Sequence, residues 1–292
     1  MLLAVGALHG NEPEGVEALR AVHAELHGVV GALRGDVVML AGNLRALAEG
    51  KRYLTRDLNR DWSAARLDSV RRAGFGAELG PEDSEQRELD AALDAALGVA
   101  RGRVYVADLH STSAEGFPFS TTTSDRDDCA FARLLPLPLV LGLLEAVAGR
   151  TLVLHLKERG CTVLALEGGP NTSHRSTKHL IAALWLLLEG TGIVDAGSVH
   201  DFESYRDRLD GARGSLPCVI QVHHRHGVNL DDGFRMEPRF ANLQRITQGQ
   251  LLARDRRGDI RASEDGYLVL PGYQPQGDDG FFLGAERDVE SV

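Results

Sequence analysis

The chain has 292 residues, of which 43% are hydrophobic and 25% are charged, and its formal net charge is −10. This composition is typical of an ordinary globular protein with enough apolar residues for one large domain or two unequal ones. The acidic balance argues against nucleic acid or an anionic membrane as a partner, because phosphate binding needs a basic surface. A small anionic substrate remains possible, since a local arginine cluster can make one pocket electrostatically positive.

The compartment is indicated by the cysteines and the amino terminus. The sequence has 3 cysteines, widely spaced and without a C-x-x-C pair, which favours a reduced protein over a disulfide framework. The first apolar run turns polar at His9, which is too early for a signal peptide. The most apolar runs, 134–148 and 180–188, are interrupted by prolines or are too short to cross a bilayer. We therefore expect a cytoplasmic protein with no membrane partner.

Strands and helices are predicted to alternate in the first two thirds of the chain. Continuous apolar runs predict buried strands at residues 2–8, 36–43, 103–110 and 161–169. Helical spacing of apolar residues predicts helices at residues 13–27, 84–100 and 178–190. The segment 111–130, rich in Thr, Ser and Asp, is expected to be a mobile loop. This alternation predicts an α/β fold, a wound mixed β-sheet flanked by helices.

After about residue 196 the pattern changes to short alternating strands separated by Gly, Asp and Pro turns. We therefore predict two domains, a catalytic α/β domain at 1–196 and a smaller β-rich domain at 197–292. The histidine-rich stretch VHHRHG at 222–227 is predicted to be structural. Only two of its three imidazoles can share one face of a strand, and no acidic or cysteine ligand adjoins them.

Polar side chains stand where the four predicted strands end: His9, Asn43, His110 and Glu167. In open α/β sheets, ligands bind beyond the carboxyl ends of the strands. One polar residue at a strand end is often only structural. Four of them in one sheet favour a common site.

Three of the residues near these ends have the pattern of metal ligands. His9 and Glu12 are three residues apart in the turn before a helix, so both can point into one cavity. His110 completes a zinc site of the His₂Glu type, which leaves a coordination position open for water. Asp108, two residues earlier on the same strand, can hold an imidazole in place. Such a site needs a base for the metal-bound water, and Glu167 is the candidate.

The stretch KRYLTRDLNRDW at 51–62 brings five polar residues close together: Arg52, Arg56, Asp57, Asn59 and Arg60. Guanidinium groups suit carboxylate recognition and can stabilise a developing oxyanion. A solvated surface loop is the alternative. We favour a positive pocket for a small carboxylate substrate.

Four motifs carry these polar residues: HGNE at 9–12, KRYLTRDLNR at 51–60, DLHST at 108–112 and LEGGP at 166–170. In order and rough spacing, the sequence resembles the succinylglutamate desuccinylase/aspartoacylase family over most of its length. The tail from FRMEPRF to GDDGFF is similar to the small β domain of that family. The resemblance implies a zinc carboxypeptidase-like fold, one Zn²⁺ per chain, and hydrolysis of a small anionic N-acyl amino acid.

The resemblance also implies roles for single residues. His9, Glu12 and His110 match the zinc ligands, and Glu167 matches the general base. Arg52 matches the arginine that polarises the scissile carbonyl. Asp57 and Asp108 are expected to hold these groups in place from outside the ligand set.

Substrate contacts are implied in the same way at Asn43, Asn59 and Arg60. Lys157 stands where the family can carry an arginine that binds the substrate. Its ammonium group is a point charge, whereas the guanidinium group of arginine can form two parallel hydrogen bonds. Tyr273 is the nearest match to a substrate tyrosine of the family. These departures affect the identity of the amino acid and not the chemistry.

Two other functions remain open on the sequence. One is a carboxypeptidase-like peptidase with the same metal ligands, and the other is a metal-binding or ligand-binding protein that has lost catalysis. Glu167 and Arg52 argue against the second, because a pure binder needs neither a base nor an oxyanion donor. The sequence selects neither the acyl group nor the amino acid, and it leaves association into a homo-oligomer open.

Overall fold

Strands and helices alternate along the first two thirds of the chain, and short strands fill the last third. The structure is a computed structural model that describes residues 1–73 and 79–288. The strands are β1 (Leu2–Gly6), β2 (Val37–Ala41), β3 (Tyr105–Thr112), β4 (Phe119–Thr122), β5 (Leu139–Leu141), β6 (Thr162–Pro170), β7 (Val219–Gly227), β8 (Arg235–Met236), β9 (Gln244–Ile246), β10 (Leu251–Asp255), β11 (Gly258–Arg261), β12 (Gly266–Val269) and β13 (Asp279–Glu286). The helices are α1 (Glu14–Leu26), α2 (Leu44–Glu49), α3 (Ala64–Arg72), α4 (Pro81–Val99), α5 (Arg126–Ala132), α6 (Leu143–Ala146), α7 (Leu152–Glu158), α8 (His174–Gly190) and α9 (Glu203–Arg213).

One mixed sheet organises the molecule. Ten of the described strands form it, in the order β2-β1-β3-β6-β4-β5-β7-β13-β12-β9. β1 pairs in parallel with β2 and β3, and β3 pairs in parallel with β6, so their carboxyl ends meet at one edge. Strands β8, β10 and β11 form a small antiparallel sheet. The predicted fold class, an α/β sheet flanked by helices with β-rich structure at the carboxyl terminus, is confirmed.

Helices cover both faces of the parallel region, which explains why its strands read as continuous apolar runs. Along β1, Leu2 and Ala4 belong to the core formed with α1 and α8. Leu3 and Val5 point the other way, into the core formed with α4 and α7. Each residue of the strand is therefore buried, and the polar residues that follow it stand out in the sequence.

The four predicted strands correspond to β1, β2, β3 and β6, and the three predicted helices to α1, α4 and α8. The expectation of a loop over 111–130 is wrong, because this segment contains the end of β3, all of β4 and most of α5. The β4 sequence FSTT reads as polar, but the Ser120 and Thr122 hydroxyl groups donate to backbone carbonyl oxygens. The Thr122 hydroxyl, for example, donates to the Val163 carbonyl oxygen of β6. The Thr121 hydroxyl is buried without a partner among the described residues.

The strands after residue 196 continue the main sheet. β7 pairs in parallel with β5, and β13, β12 and β9 follow in antiparallel order. The division at 196/197 stays a prediction, since one sheet runs through both parts. Across the described residues, no helix combines the length and apolar character needed to span a bilayer.

Candidate active site

The turn between β1 and α1 places His9 and Glu12 at the carboxyl edge of the sheet. The Glu12 amide donates to the His9 carbonyl oxygen at 3.2 Å, which closes the turn. Gly10 packs against the backbone of α2, and a Cβ atom there would lie 2.2 Å from the carbonyl carbon of Ala46. The second position of HGNE therefore requires glycine for steric reasons.

Three buried side chains converge beyond this turn: His9, Glu12 and His110. One potential ligand atom of each lies within 4.8 Å of the others. Nδ1 of His9 is 2.9 Å from Oε1 of Glu12, and Nδ1 of His110 is 2.9 Å from Oε2 of Glu12. Burial by itself would raise the pKa of Glu12, but the two imidazoles outweigh it and hold that pKa well below its usual range. Glu12 is therefore an ionised carboxylate between two imidazoles.

The outer nitrogen of each imidazole contacts a second carboxylate. Nε2 of His9 is 3.2 Å from Oδ1 of Asp57, and Nε2 of His110 is 3.0 Å from Oδ2 of Asp108. Burial would raise the pKa of Asp57, but Arg52 and His9 lower it well below its usual value. Carboxylates behind metal-binding imidazoles fix the tautomer and the ring orientation. This donor set fits a zinc ion with an open coordination position.

Arg52 is buried beside the cluster. Its Nε and Nη2 are each 3.0 Å from Oδ2 of Asp57, and its Nη1 is 3.5 Å from Oε1 of Glu12. The Gly10 amide donates to the Arg52 carbonyl oxygen at 3.0 Å, so the backbone is held as well. A fixed guanidinium group next to a potential metal site is suited to stabilise developing negative charge.

Glu82 of α4, which the sequence analysis missed, holds the loop that carries Arg52. It accepts hydrogen bonds from the Leu54 amide (2.6 Å), the Thr55 amide (3.0 Å), the Thr55 hydroxyl (2.5 Å) and Nδ2 of Asn43 (3.4 Å). Burial would raise the pKa of Glu82, but these hydrogen bonds lower it. No sequence signal distinguishes Glu82 from an ordinary acidic residue in a first helical turn.

Glu167 on β6 lies directly opposite His110 on β3, so both side chains extend from the same face of the sheet. Its Oε2 is buried and has no hydrogen-bond partner among the described residues. Burial raises the pKa of Glu167 to about 8, with His110 lowering it and Glu12 raising it further. An unpaired carboxyl group with such a pKa has the properties of a proton-transfer group.

Asn59 and Arg60 extend the cluster toward the carboxyl-terminal strands. Nδ2 of Asn59 is 3.4 Å from Oδ2 of Asp108. Nη2 of Arg60 donates to Oδ2 of Asp279 on β13 at 2.8 Å, and its Nε is 3.5 Å from Asp278. The loop 51–62 is therefore part of the site and not a solvated surface loop.

Three expected substrate contacts lie outside the lining of the cavity described below. Asn43 caps the amino terminus of α2. Lys157 extends from α7 toward α5, where its Nζ is 2.8 Å from Asp128. The Tyr273 hydroxyl donates to the Glu237 carbonyl oxygen at 2.7 Å. Each of these side chains contacts neighbouring groups of the protein, and a contact with substrate stays a prediction for all three.

A cavity of about 110 Å³ lies over the cluster. Its polar lining includes most of the residues that the sequence singled out: His9, Glu12, Arg52, Asn59, Arg60, Asp108, His110 and Glu167. Residues 270–272, Gln274, Asp279 and Phe282 close it from the carboxyl-terminal part. The cavity lies at the carboxyl edge of a wound sheet. It brings the imidazoles of His9 and His110 close to the carboxyl group of Glu167, which is an arrangement typical of hydrolase sites.

Comparison with known proteins identifies the family. The succinylglutamate desuccinylase/aspartoacylase catalytic domain matches residues 1–185, which is more than half of the chain. The chain therefore belongs to the succinylglutamate desuccinylase/aspartoacylase family, whose members in this comparison are deacylases. No curated protein matches it significantly in sequence.

Solved structures share the whole fold at low sequence identity. The succinylglutamate desuccinylase/aspartoacylase of Rhodobacter sphaeroides has a TM-score of 0.68 at 18% identity, covering 98% of this chain and 85% of that one. The product-bound ectoine utilization protein EutE (DoeB) of Ruegeria pomeroyi has a TM-score of 0.66 at 21% identity, with 97% and 84% covered. Murine aminoacylase 3 has a TM-score of 0.63 at 17% identity, with 97% and 93% covered. At these identities the likeness shows the fold.

Proposed function

We propose that the protein is a zinc-dependent hydrolase that cleaves the amide bond of an N-acyl amino acid and releases a carboxylic acid and a free amino acid. The observation that carries this proposal is the convergence of His9, Glu12 and His110 beside the unpaired carboxyl group of Glu167. Membership of a deacylase family and the product-bound and aminoacylase relatives support the reaction class.

His9 and His110 would hold the zinc ion through Nδ1, and Glu12 through its carboxylate. The orientation follows from Asp57 and Asp108, which occupy the Nε2 side of each imidazole. When bound, zinc lowers the pKa of a water molecule and polarises the carbonyl group.

The residues of the chain would carry the proton and the charge. Oε2 of Glu167 accepts a proton from the attacking water and later delivers it to the leaving nitrogen, so that one water is consumed for each amide cleaved. Arg52 donates N–H groups to the oxyanion of the tetrahedral species. Asn59 and Arg60, which also line the cavity, would hold the α-carboxylate of the substrate.

The free cysteines of the chain agree with a reducing compartment such as the cytoplasm. Cys129, Cys161 and Cys218 are all free, and the first two are buried. We propose a cytoplasmic location, which these free thiols support.

Amine release from N-acetyl and N-succinyl amino acids tests the proposal, using zinc-loaded and chelated protein in parallel. We expect turnover that is lost on chelation and returns with zinc. Cleavage of peptides instead would identify a carboxypeptidase-like enzyme. Zinc binding without turnover of either class would identify a protein that has lost catalysis.

A further inference from the structure

The lining of the cavity combines charged, uncharged polar and apolar side chains. Besides the imidazoles, carboxylates and arginines described above, it includes hydroxyl and amide groups of Ser, Thr and Gln residues. Six larger apolar residues also line it: Leu143, Leu144, Val147, Val153, Leu270 and Phe282. We name these six residues the apolar wall. None of the roles proposed so far uses the apolar wall.

Separate parts of the chain build the apolar wall. Leu143 and Val147 come from α6 and the residue after it, and Val153 comes from α7. Leu270 is the residue after β12, and Phe282 lies on β13. The wall therefore belongs to the packed interior, where its shape is fixed by both cores that meet there.

Leu270 adopts a backbone conformation that leucine rarely takes. Its φ is 50°, and its amide donates to Oδ1 of Asn242 at 2.8 Å. A bulky residue in the left-handed region is strained, and such residues cluster at ligand sites. The surrounding structure thus holds an apolar side chain at this wall against its backbone preference.

The cations of the cavity are already paired. Among the described lining residues, Arg52 and Arg60 are the arginines, and no lysine is present. Arg52 contacts Asp57 at 3.0 Å, and Arg60 contacts Asp279 at 2.8 Å. With one substrate carboxylate at Arg60 and the developing oxyanion at Arg52, no arginine or lysine of the described lining is left for a second carboxylate. A further negative charge against the apolar wall would be desolvated without an arginine or lysine to pair with it.

We propose that the substrate carries a single carboxylate and that the group placed against the apolar wall is a short, uncharged, apolar one. This inference rests on the proposed function and narrows the substrate class that the sequence left open. The cavity of about 110 Å³ limits the size. Since roughly 10–15 Å³ accommodates one water, the site suits a molecule such as N-acetyl-leucine and not a long acyl chain. The apolar group belongs either to the amino acid or to the acyl part.

A four-substrate comparison with zinc-loaded protein tests the inference. N-acetyl-leucine carries the apolar group on the amino acid, and N-butanoyl-glycine carries it on the acyl part. N-acetyl-aspartate and N-succinyl-glutamate carry additional carboxylates. We expect kcat/KM to be at least about tenfold higher for one of the first two than for either dicarboxylate-type substrate. Equal or better turnover of the aspartate or succinyl compound overturns the inference and leaves the proposed function intact.

Binding measurements distinguish failure of this inference from failure of the proposed function. If no compound is turned over, the proposed function fails, and thermal shifts of the zinc-loaded protein with the same four compounds decide the inference. Stabilisation by N-acetyl-leucine or N-butanoyl-glycine beyond that by the charged compounds supports an apolar subsite. The opposite order, or no difference, overturns it.

A pair of valine substitutions tests the wall directly. Val147→Arg places a cation at the half-buried edge of the apolar wall, and Val30→Arg makes the same exchange at a residue that is 66% exposed and outside the cavity. We expect the ratio of kcat/KM for the preferred apolar substrate to that for N-acetyl-aspartate to fall at least about tenfold in Val147→Arg. Val30→Arg should keep the wild-type ratio.

Val147→Thr provides a second variant if Val147→Arg does not fold. It keeps the side-chain volume, adds a hydroxyl group, and should lower the same ratio. A ratio that is unchanged in the folded Val147 variants overturns the assignment of this wall to the substrate.

Discussion

Oδ1 of Asp57 accepts a hydrogen bond from Nε2 of His9 at 3.2 Å. The low pKa of Asp57, to which Arg52 contributes most among the charges, keeps it ionised and acceptor-only, so Nε2 carries the proton. Nδ1 of His9 then faces Glu12 and His110. One carboxylate thus connects the proposed ligand His9 with the proposed oxyanion donor Arg52.

Removing this carboxylate should weaken metal binding. We expect Asp57→Ala to lower zinc affinity about 10–100-fold, because the His9 ring loses the group that orients it. Competition with a coloured chelator measures the change. Asp68→Ala is the matched control, since the Asp68 side chain is 56% exposed and forms an ion pair with Arg72 at 2.9 Å. Equal affinities in both variants would show that Asp57 does not support the metal site.

Arg52→Ala should reduce kcat by about 10²–10³, the loss expected for one oxyanion donor, while zinc still binds at one per chain. Arg72→Ala, at a side chain that is 79% exposed, serves as the control for loss of an arginine. Steady-state kinetics together with metal analysis distinguishes the outcomes. Near-normal turnover by Arg52→Ala would remove Arg52 from the mechanism.

The carboxyl group of Glu167 should titrate far above the usual range in the metal-free protein. Burial raises its pKa to about 8, so the group is mainly protonated at pH 7 and becomes a base as the pH rises. Difference infrared spectra should show a protonated carboxyl band that titrates near pH 8 and is absent in Glu167→Gln. Zinc should move this titration to lower pH, because a nearby cation favours the carboxylate. A Glu167 band that is already lost at pH 5 without metal contradicts this assignment.

Glu167→Gln should also lower kcat by about 10²–10⁴, the usual contribution of a positioned proton-transfer group. The amide keeps the size of the side chain but cannot accept the proton. Single-turnover measurements at saturating zinc test this expectation. Retention of wild-type rates would assign the proton transfer to another group.

The raised pKa of Glu167 should also make the metal-free protein less stable as the pH rises. The folded-state pKa of Glu167 is about 8 and the ordinary value is 4.5, so between them the folded protein binds a proton that the unfolded chain releases. This contribution to the free energy of unfolding is fully present below about pH 4.5 and is lost as the pH rises toward 8. Urea denaturation at pH 5 and pH 8 should show a larger decline for wild type than for Glu167→Gln. Identical declines would argue against a raised pKa.

Glu82→Ala should destabilise the fold by roughly 1–3 kcal/mol, because the amides of Leu54 and Thr55 lose their acceptor. It should also lower activity, since the loop that carries Arg52 is released. Glu88→Ala on the same helix is the control, because that side chain is 59% exposed. Denaturant midpoints and kcat check both effects, and a stability equal to that of the control would contradict the role given to Glu82.

The sequence predicted the parts of the site that depend on strand ends. His9, His110 and Glu167 follow apolar strands in a parallel sheet, so topology alone brings them to one edge. Asp108 follows from strand periodicity, because it shares a face with His110. That these residues lie together was therefore predictable, while their roles as ligands and base stay predictions.

Residues on helices and loops were harder to predict, since their neighbours are set by tertiary packing. Asn43 follows a predicted strand but caps α2, and Lys157 lies on a helix that directs it toward α5. Glu82 had no distinguishing signal, although it fixes the loop around Arg52. The buried strand β4 was missed because its serine and threonine side chains read as polar, although the Ser120 and Thr122 hydroxyls donate to backbone carbonyl oxygens inside the protein. The apolar wall combines residues that are more than a hundred positions apart in sequence.

Titration of activity against zinc tests the central claim most directly. Metal-free protein is supplied with zinc in steps, and amine release from its best N-acyl amino acid substrate is followed beside the His110→Ala variant. The account predicts that turnover rises in proportion to zinc, stops rising at one zinc per chain, and is absent in the variant. Full turnover by chelated protein, or no turnover with N-acyl amino acids at any zinc occupancy, would contradict it.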